Sequence, residues 1–103
     1  MKPFHLYILR CVDDSYYVGH TDDLDARIAA HRWGEIPGYT ATRLPVELVY
    51  ATDFPTRDEA LRAERQVKGW SRAKKEALIR GDWDGLRALA RNRQDQGSSS
   101  ASR

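Results

Sequence analysis

The chain of 103 residues has a single cysteine, Cys11, a single methionine and only 4 prolines. One thiol excludes an intrachain disulfide and every zinc site built on two or more thiolates, and leaves Cys11 to read as a small core hydrophobe. A zinc site assembled from His5, His20, His31 and Cys11 lacks the close pairwise ligand spacing of known zinc motifs. No apolar run approaches the roughly 20 residues of a membrane span. The opening Met1-Lys2-Pro3-Phe4-His5 has neither the apolar core nor the small-residue cleavage site of a secretion signal, so a cytoplasmic protein with no membrane partner is expected. Large net charge is also missing: 17 Lys+Arg oppose 15 Asp+Glu, a balance of +2. That is too little to argue for nucleic acid by itself, but it is unevenly spread. Residues 1–56 carry 5 basic and 8 acidic side chains, residues 57–80 carry 8 and 4, and residues 81–103 carry 4 and 3. The length suits one folding domain, expected over residues 1–91.

What is present reads as alternating short elements. His5 to Val12 is rich in β-branched, aromatic and aliphatic residues and stops at Asp13-Asp14-Ser15. Tyr16 to His20 follows, and the pair predicts an antiparallel hairpin across a three-residue loop. Thr21 and Asp22 are the expected N-cap residues of a helix over Leu24 to Trp33, with acidic residues at its positive end. Gly34 to Leu44 is a long loop, and Val46 to Phe54 a third strand. Thr56-Arg57-Asp58-Glu59 has capping-box form and announces a helix to about Trp70. Ser71 caps another over Arg72 to Arg80, and Gly81-Asp82 opens a last one. Asn92 to Arg103 is too polar to bury anything and is predicted disordered. The order β-β-α-β-α-α-α predicts an α/β fold, a three-stranded antiparallel or mixed sheet flanked by helices.

Four features stand out from packing needs. On the second long helix Glu64 falls about 40° from Ala60, inside the apolar arc. A carboxylate there needs a cation, a metal or hydrogen-bond donors, and Lys68 one turn on offers the ordinary i,i+4 partner. On the first helix His31 lies in the apolar stripe with Arg27 beside it, either as a satisfied core histidine beside a solvated arginine or as a proton carrier beside a phosphate ligand. Tyr7 and Tyr17 can share a face of the hairpin, where tyrosine is ordinarily packing. Gly19, two residues after Tyr17, is the kind of strand glycine that marks a bulge or a close approach. Together these supply a carboxylate for a divalent metal, a guanidinium for phosphate charge, and hydroxyl or imidazole groups for protons. Lys68, Arg72, Lys74, Lys75 and Arg80, with Trp70 among them, could track a phosphate backbone, against the default of a solvated helix face.

The ordered motifs Leu6-Tyr7-Ile8, Tyr17-Val18-Gly19, Thr21-x-Asp23-Leu24-x-x-Arg27-x-x-x-His31, Gly38-Tyr39-Thr40, Pro45-Val46-Glu47-Leu48-Val49-Tyr50 and Ala63-Glu64-x-x-x-Lys68 resemble the GIY-YIG endonuclease superfamily, in its small single-domain bacterial form. The resemblance covers about residues 4–81. It implies a metal-dependent endonuclease acting on DNA, with branched or damaged DNA as candidate substrates. It implies one divalent ion, Mg²⁺ or Mn²⁺, held by Glu64, and a phosphate charge met by Arg27. Tyr17 would be the general base, Tyr7 a positioning group, His31 a proton-transfer aid, and Gly19 a place where substrate approaches. The products would be a 5′-phosphate and a 3′-hydroxyl. Two departures are visible: the first motif keeps only its tyrosine, and His20 stands where several relatives carry lysine. They leave room for a second reading, a weak or inactive nucleic-acid-binding or partner-binding module on the same scaffold. No zinc finger, coiled coil or helicase module accompanies the motifs, so specificity is expected from this surface or from a partner protein.

Overall fold

The computed structural model describes residues 2–90, and they divide into two compact units, one ending at Gly69 and one beginning at Trp70. The expected tail from Asn92 lies outside the described residues.

The first unit is built on a three-stranded sheet of β1 (Phe4–Arg10), β2 (Tyr16–Thr21) and β3 (Glu47–Phe54), in the order β2-β1-β3. Both pairings are antiparallel, which settles the antiparallel alternative. Tyr7 stands opposite Gly19 and Leu9 opposite Tyr17 on β2, while a bulge between Ile8 and Leu9 shifts the register with β3. The hairpin loop is longer than predicted. Cys11 to Ser15 all leave the ladder, because Asp14 takes a left-handed conformation (φ 68°) and the Cys11 N–H returns to the Ser15 carbonyl at 2.8 Å.

Alternation gives the central strand two buried faces, since Leu6, Tyr7, Ile8 and Leu9 are all at most 2% exposed. On one face Tyr7, Leu9 and Cys11 pack with Ile28 of α1 (Leu24–Arg32) and with Val46. On the other, α2 (Arg57–Lys68) packs against the sheet and buries Ala60, Glu64 and Val67. Both helices start at the expected residues, but the cap of α1 is Asp23 rather than Thr21 or Asp22, the Thr21 hydroxyl being turned to the Asp23 backbone instead. The Asp23 carboxylate accepts from the Ala26 N–H and the Thr56 hydroxyl from the Glu59 N–H. α2 ends two residues short of Trp70, with Gly69 as its C-cap.

The second unit holds α3 (Arg72–Arg80), capped by Ser71, and helical turns at 83–90. Gly81 closes α3 at φ 72°, the left-handed conformation of a Schellman end, with the Asp82 and Gly81 N–H groups returned to the Ala77 and Leu78 carbonyls. No helix of the described residues is long and apolar enough to cross a membrane.

Candidate active site

β1 and β2 set the site through a single absence. A Cβ at Gly19 would lie 2.5 Å from the Tyr7 hydroxyl oxygen and 2.6 Å from Tyr7 Cζ. The Tyr7 phenol therefore lies across Gly19, directed from the central strand towards the edge strand β2. A close approach at Gly19 is present, and the group that makes it is the ring of Tyr7. Tyr17 sits beside it, with ring centroids 6.4 Å apart.

From α1, His31 reaches the same place. Its Nε2 lies 2.9 Å from the Tyr7 hydroxyl and its Nδ1 lies 2.8 Å from the Thr40 hydroxyl. The imidazole is 1% exposed, and burial followed by the nearby Arg27 charge lowers its pKa, so it is neutral. A neutral imidazole donates from one nitrogen and accepts at the other. Two proton arrangements satisfy the chain: Tyr7 donates to Nε2 while Nδ1 donates to Thr40, or Thr40 donates to Nδ1 while Nε2 donates to Tyr7. The second leaves the Tyr7 proton free to point elsewhere. Of its two expected readings the geometry shows the satisfied core histidine, which touches the site through the Tyr7 hydroxyl and the Tyr17 ring, 5.3 Å away between centroids.

Thr40 closes this chain from the long loop and carries no mark in the sequence beyond its place in Gly38-Tyr39-Thr40. It is 2% exposed, so Thr40→Val would keep the shape and leave His31 Nδ1 unpaired. The expected cost is about 1–2 kcal/mol, read as a fall of roughly 5–10 °C in Tm. An unchanged melt would remove Thr40 from the network. The same loop lays Tyr39 on Tyr17 at 6.1 Å between centroids, and Arg43 over the Tyr39 ring at 3.8 Å.

Burial raises the Tyr7 pKa to about 12, helped by Tyr17 and Glu64 and opposed by Arg27, which also hydrogen-bonds the phenol. Tyr7 consequently keeps its proton at neutral pH. The same interactions place Tyr17, Arg27 and Glu64 within electrostatic reach of one hydroxyl. Arg27 itself is exposed on α1.

Glu64 comes from α2 on the other face of the sheet and meets β2 at His20. One carboxylate oxygen is 2.6 Å from His20 Nδ1 and the other 2.9 Å from Lys68 Nζ, so the ordinary i,i+4 pair is formed. Burial works against its ionisation, but hydrogen bonds from His20 and Lys68 outweigh it and hold the carboxyl below its ordinary range. Glu64 is an anion at neutral pH with both oxygens facing cationic or N–H donors. Among the described residues no group of three or more His, Cys, Asp or Glu side chains is placed to hold a metal. A divalent cation would therefore have one carboxylate here. That suits Mg²⁺, which keeps most of its waters and takes the rest of its oxygens from substrate phosphates.

Within the first unit Tyr7, Tyr17, Gly19 and His31 lie together, Glu64 meets His20, and Arg27 and Glu64 both act on the Tyr7 phenol. The basic residues fare differently. Lys68 is engaged with Glu64, and Arg72 pairs with Glu76 one turn on. Lys74 corrects the expectation of a solvated face, because it is 9% exposed with its ammonium 4.6 Å above the Trp70 ring. Lys75 is half-buried on α3.

The family model of the GIY-YIG catalytic domain matches residues 3–77. The chain belongs to the GIY-YIG family. Its relatives are small proteins of similar extent. It is 41% identical over 80 residues to the UPF0213 protein of Streptococcus pneumoniae serotype 4, across 78% of this chain and 81% of that one. To the UPF0213 protein of Halobacterium salinarum it is 43% identical over 75 residues, across 73% and 97%. Among solved structures it is similar to the solution NMR structure of the UPF0213 protein BH0048 from Bacillus halodurans, with TM-score 0.50, 45% identity and coverage of 75% and 82%. A second NMR structure, of EF2693 from E. faecalis, gives TM-score 0.55 and 34% identity over 79% and 86% of the two chains. These similarities make the α/β architecture a GIY-YIG fold and its role nuclease-like.

Proposed function

We propose that this GIY-YIG protein is a metal-dependent endonuclease that hydrolyses DNA phosphodiester bonds, with branched or damaged DNA as its substrate class. The observation that carries the proposal is the convergence at Gly19. A second phenol (Tyr17), a guanidinium with no carboxylate partner among the described residues (Arg27) and an ionised carboxylate (Glu64) each act on the protonated Tyr7 phenol that lies across Gly19 on the edge strand β2.

Each residue has a part its geometry allows. Glu64 would hold the divalent cation, Mg²⁺ or Mn²⁺, by displacing the Lys68 ammonium, which is half-exposed and free to swing aside. When bound, that ion supplies Lewis-acid stabilisation of the phosphate and its leaving oxygen. Arg27 neutralises charge that builds on the phosphate oxygens, as a guanidinium fork does well. Tyr7, which keeps its proton, orients phosphate or water as a hydrogen-bond donor. Tyr17 is left as the hydroxyl to orient or deprotonate the attacking water. His31 and Thr40 hold Tyr7 in its rotamer. His20 fixes the Glu64 carboxylate from β2.

A second reading is favoured by one observation: both Glu64 oxygens are already engaged by the protein itself. A protein that never releases Lys68 would bind nucleic acid without cutting it, whether alone or through a partner protein.

The deciding experiment incubates the purified protein with labelled single-stranded, duplex, flapped and four-way DNA. With Mg²⁺ or Mn²⁺, nicks bearing 5′-phosphate are expected on at least one form, and excess chelator should abolish them. Binding without nicking under every metal condition would select the non-catalytic reading.

A further inference from the structure

We propose that Arg57 forms a second phosphate subsite beside Arg27, holding the backbone phosphate of the nucleic-acid strand next to the one that Arg27 meets at the cleavage position. This rests on the nuclease reading above and adds to it a residue, Arg57, outside the family motifs.

The subsite is a hollow of about 250 Å³ lined by Phe4, His20, Asp22, Arg27 and Arg57, all in the first unit. That is room for a phosphate group with several waters, each water taking about 30 Å³. It adjoins the candidate active site through two shared side chains, since His20 bonds Glu64 and Arg27 acts on Tyr7.

Its charges are available. Five other arginines of the described residues, 10, 43, 72, 80 and 87, are tied to carboxylates. Arg27 and Arg57 have no carboxylate at ion-pair distance among the described residues, and both are exposed. Two guanidinium groups from different elements, α1 and α2, facing one hollow repel each other unless an anion lies between them. A phosphate accepts bidentate hydrogen bonds from such forks. Asp22 is the opposing group in the hollow. It precedes the capping residue Asp23 and makes no capping bond itself.

Position along α2 sets the direction. Arg57 lies seven residues before Glu64, which places it within about 20° of the same stripe and roughly 10 Å along the axis. A strand whose phosphate sits at Glu64 and Arg27 meets Arg57 as its neighbour. The partly exposed Phe4 ring lies in the same hollow and offers a stacking face for an adjoining base.

The test uses the full-length protein and two probes. The first is fluorescence anisotropy with labelled DNA in Ca²⁺ at several salt concentrations. Arg57→Ala should weaken binding about 5- to 20-fold and lower the salt slope by roughly 1, while Asp22→Asn should tighten it about 2- to 3-fold. Arg62→Ala, on the far side of α2, should change binding less than about twofold. The second probe is inorganic phosphate, followed by the guanidinium Nε–Hε NMR signals, where Arg27 and Arg57 should move together.

Arg57→Ala behaving as Arg62→Ala, or a phosphate titration that leaves the Arg57 signal still, overturns the subsite. Because wild-type nicking is scored separately, such a result beside intact cleavage sinks the subsite alone. Joint phosphate shifts in a protein that cuts nothing uphold the subsite and sink the nuclease.

Discussion

Replacing Gly19 by alanine is expected to destabilise the protein by about 2–3 kcal/mol, a fall of roughly 10–20 °C in Tm, and to abolish nicking in the fraction that remains folded. The reason is space. Gly19 is extended and is not among the positive-φ glycines, so alanine meets no backbone strain there. What it meets is the Tyr7 phenol, 2.5 Å from the new methyl carbon at the hydroxyl and 2.6 Å at Cζ. Tyr7 is 1% exposed and packed with His31 and Tyr17, so its ring has nowhere to go without leaving His31 Nε2 unpaired. The cost should vanish with the clash. In a Tyr7→Leu background, Gly19→Ala should cost less than half as much as in wild type, a coupling measured by a double-mutant cycle from denaturant melts. Strictly additive costs would mean that Gly19 is required for some reason other than the phenol.

This dependence on Tyr7 shows where sequence reading succeeded and where it stopped. Period-two alternation puts Tyr7 and Tyr17 on one face, and the bulge and loop irregularities leave the hairpin register intact, with Tyr7 opposite Gly19 and Leu9 opposite Tyr17. Helical phase found that Glu64 and His31 are buried, because a 100° step depends on spacing alone. Their partners were less accessible. Lys68 is local, so the i,i+4 rule reached it, whereas His20 meets Glu64 across 44 residues and Thr40 meets His31 through a loop whose path no periodicity encodes. The burial of Lys74 is a different case. A run of cations marks a candidate phosphate track or a solvated face, whereas Ala77 and Leu78 one turn on share the buried side of Lys74 and Trp70 one turn back supplies a ring for its ammonium. Lysine can bury its stem wherever its head finds an electron-rich partner, so charge alone does not place it outside. Arg57 escaped notice because an exposed arginine at a helix start looks like any other until the hollow beside Arg27 is seen.

Glu64→Gln carries the other large effect, and its two consequences have different pH signatures. If Glu64 seats the cation, the amide should lower nicking about a thousandfold or more, since removing the charge that holds the metal forfeits on the order of 4 kcal/mol of transition-state stabilisation. Equal nicking by both proteins would assign the activity to another ligand or to a contaminant. The stability effect is smaller, about 1 kcal/mol at neutral pH, because glutamine keeps the shape and one acceptor but faces the Lys68 ammonium without a charge. Its sign with pH follows from the lowered Glu64 pKa. A carboxyl depressed on folding contributes stability that is fully present above its unfolded value near 4.5 and disappears as pH falls through the folded value. Wild type should therefore lose its advantage over Glu64→Gln on acidification, with the two melts drawing together as pH falls below 4.5 rather than running parallel. Parallel curves would mean that His20 and Lys68 do not favour the ionised carboxylate. If Glu64 seats a cation, the pairing with Lys68 that stabilises the folded protein is the one that cation would have to break, and Lys68 would then compete with it for the carboxylate.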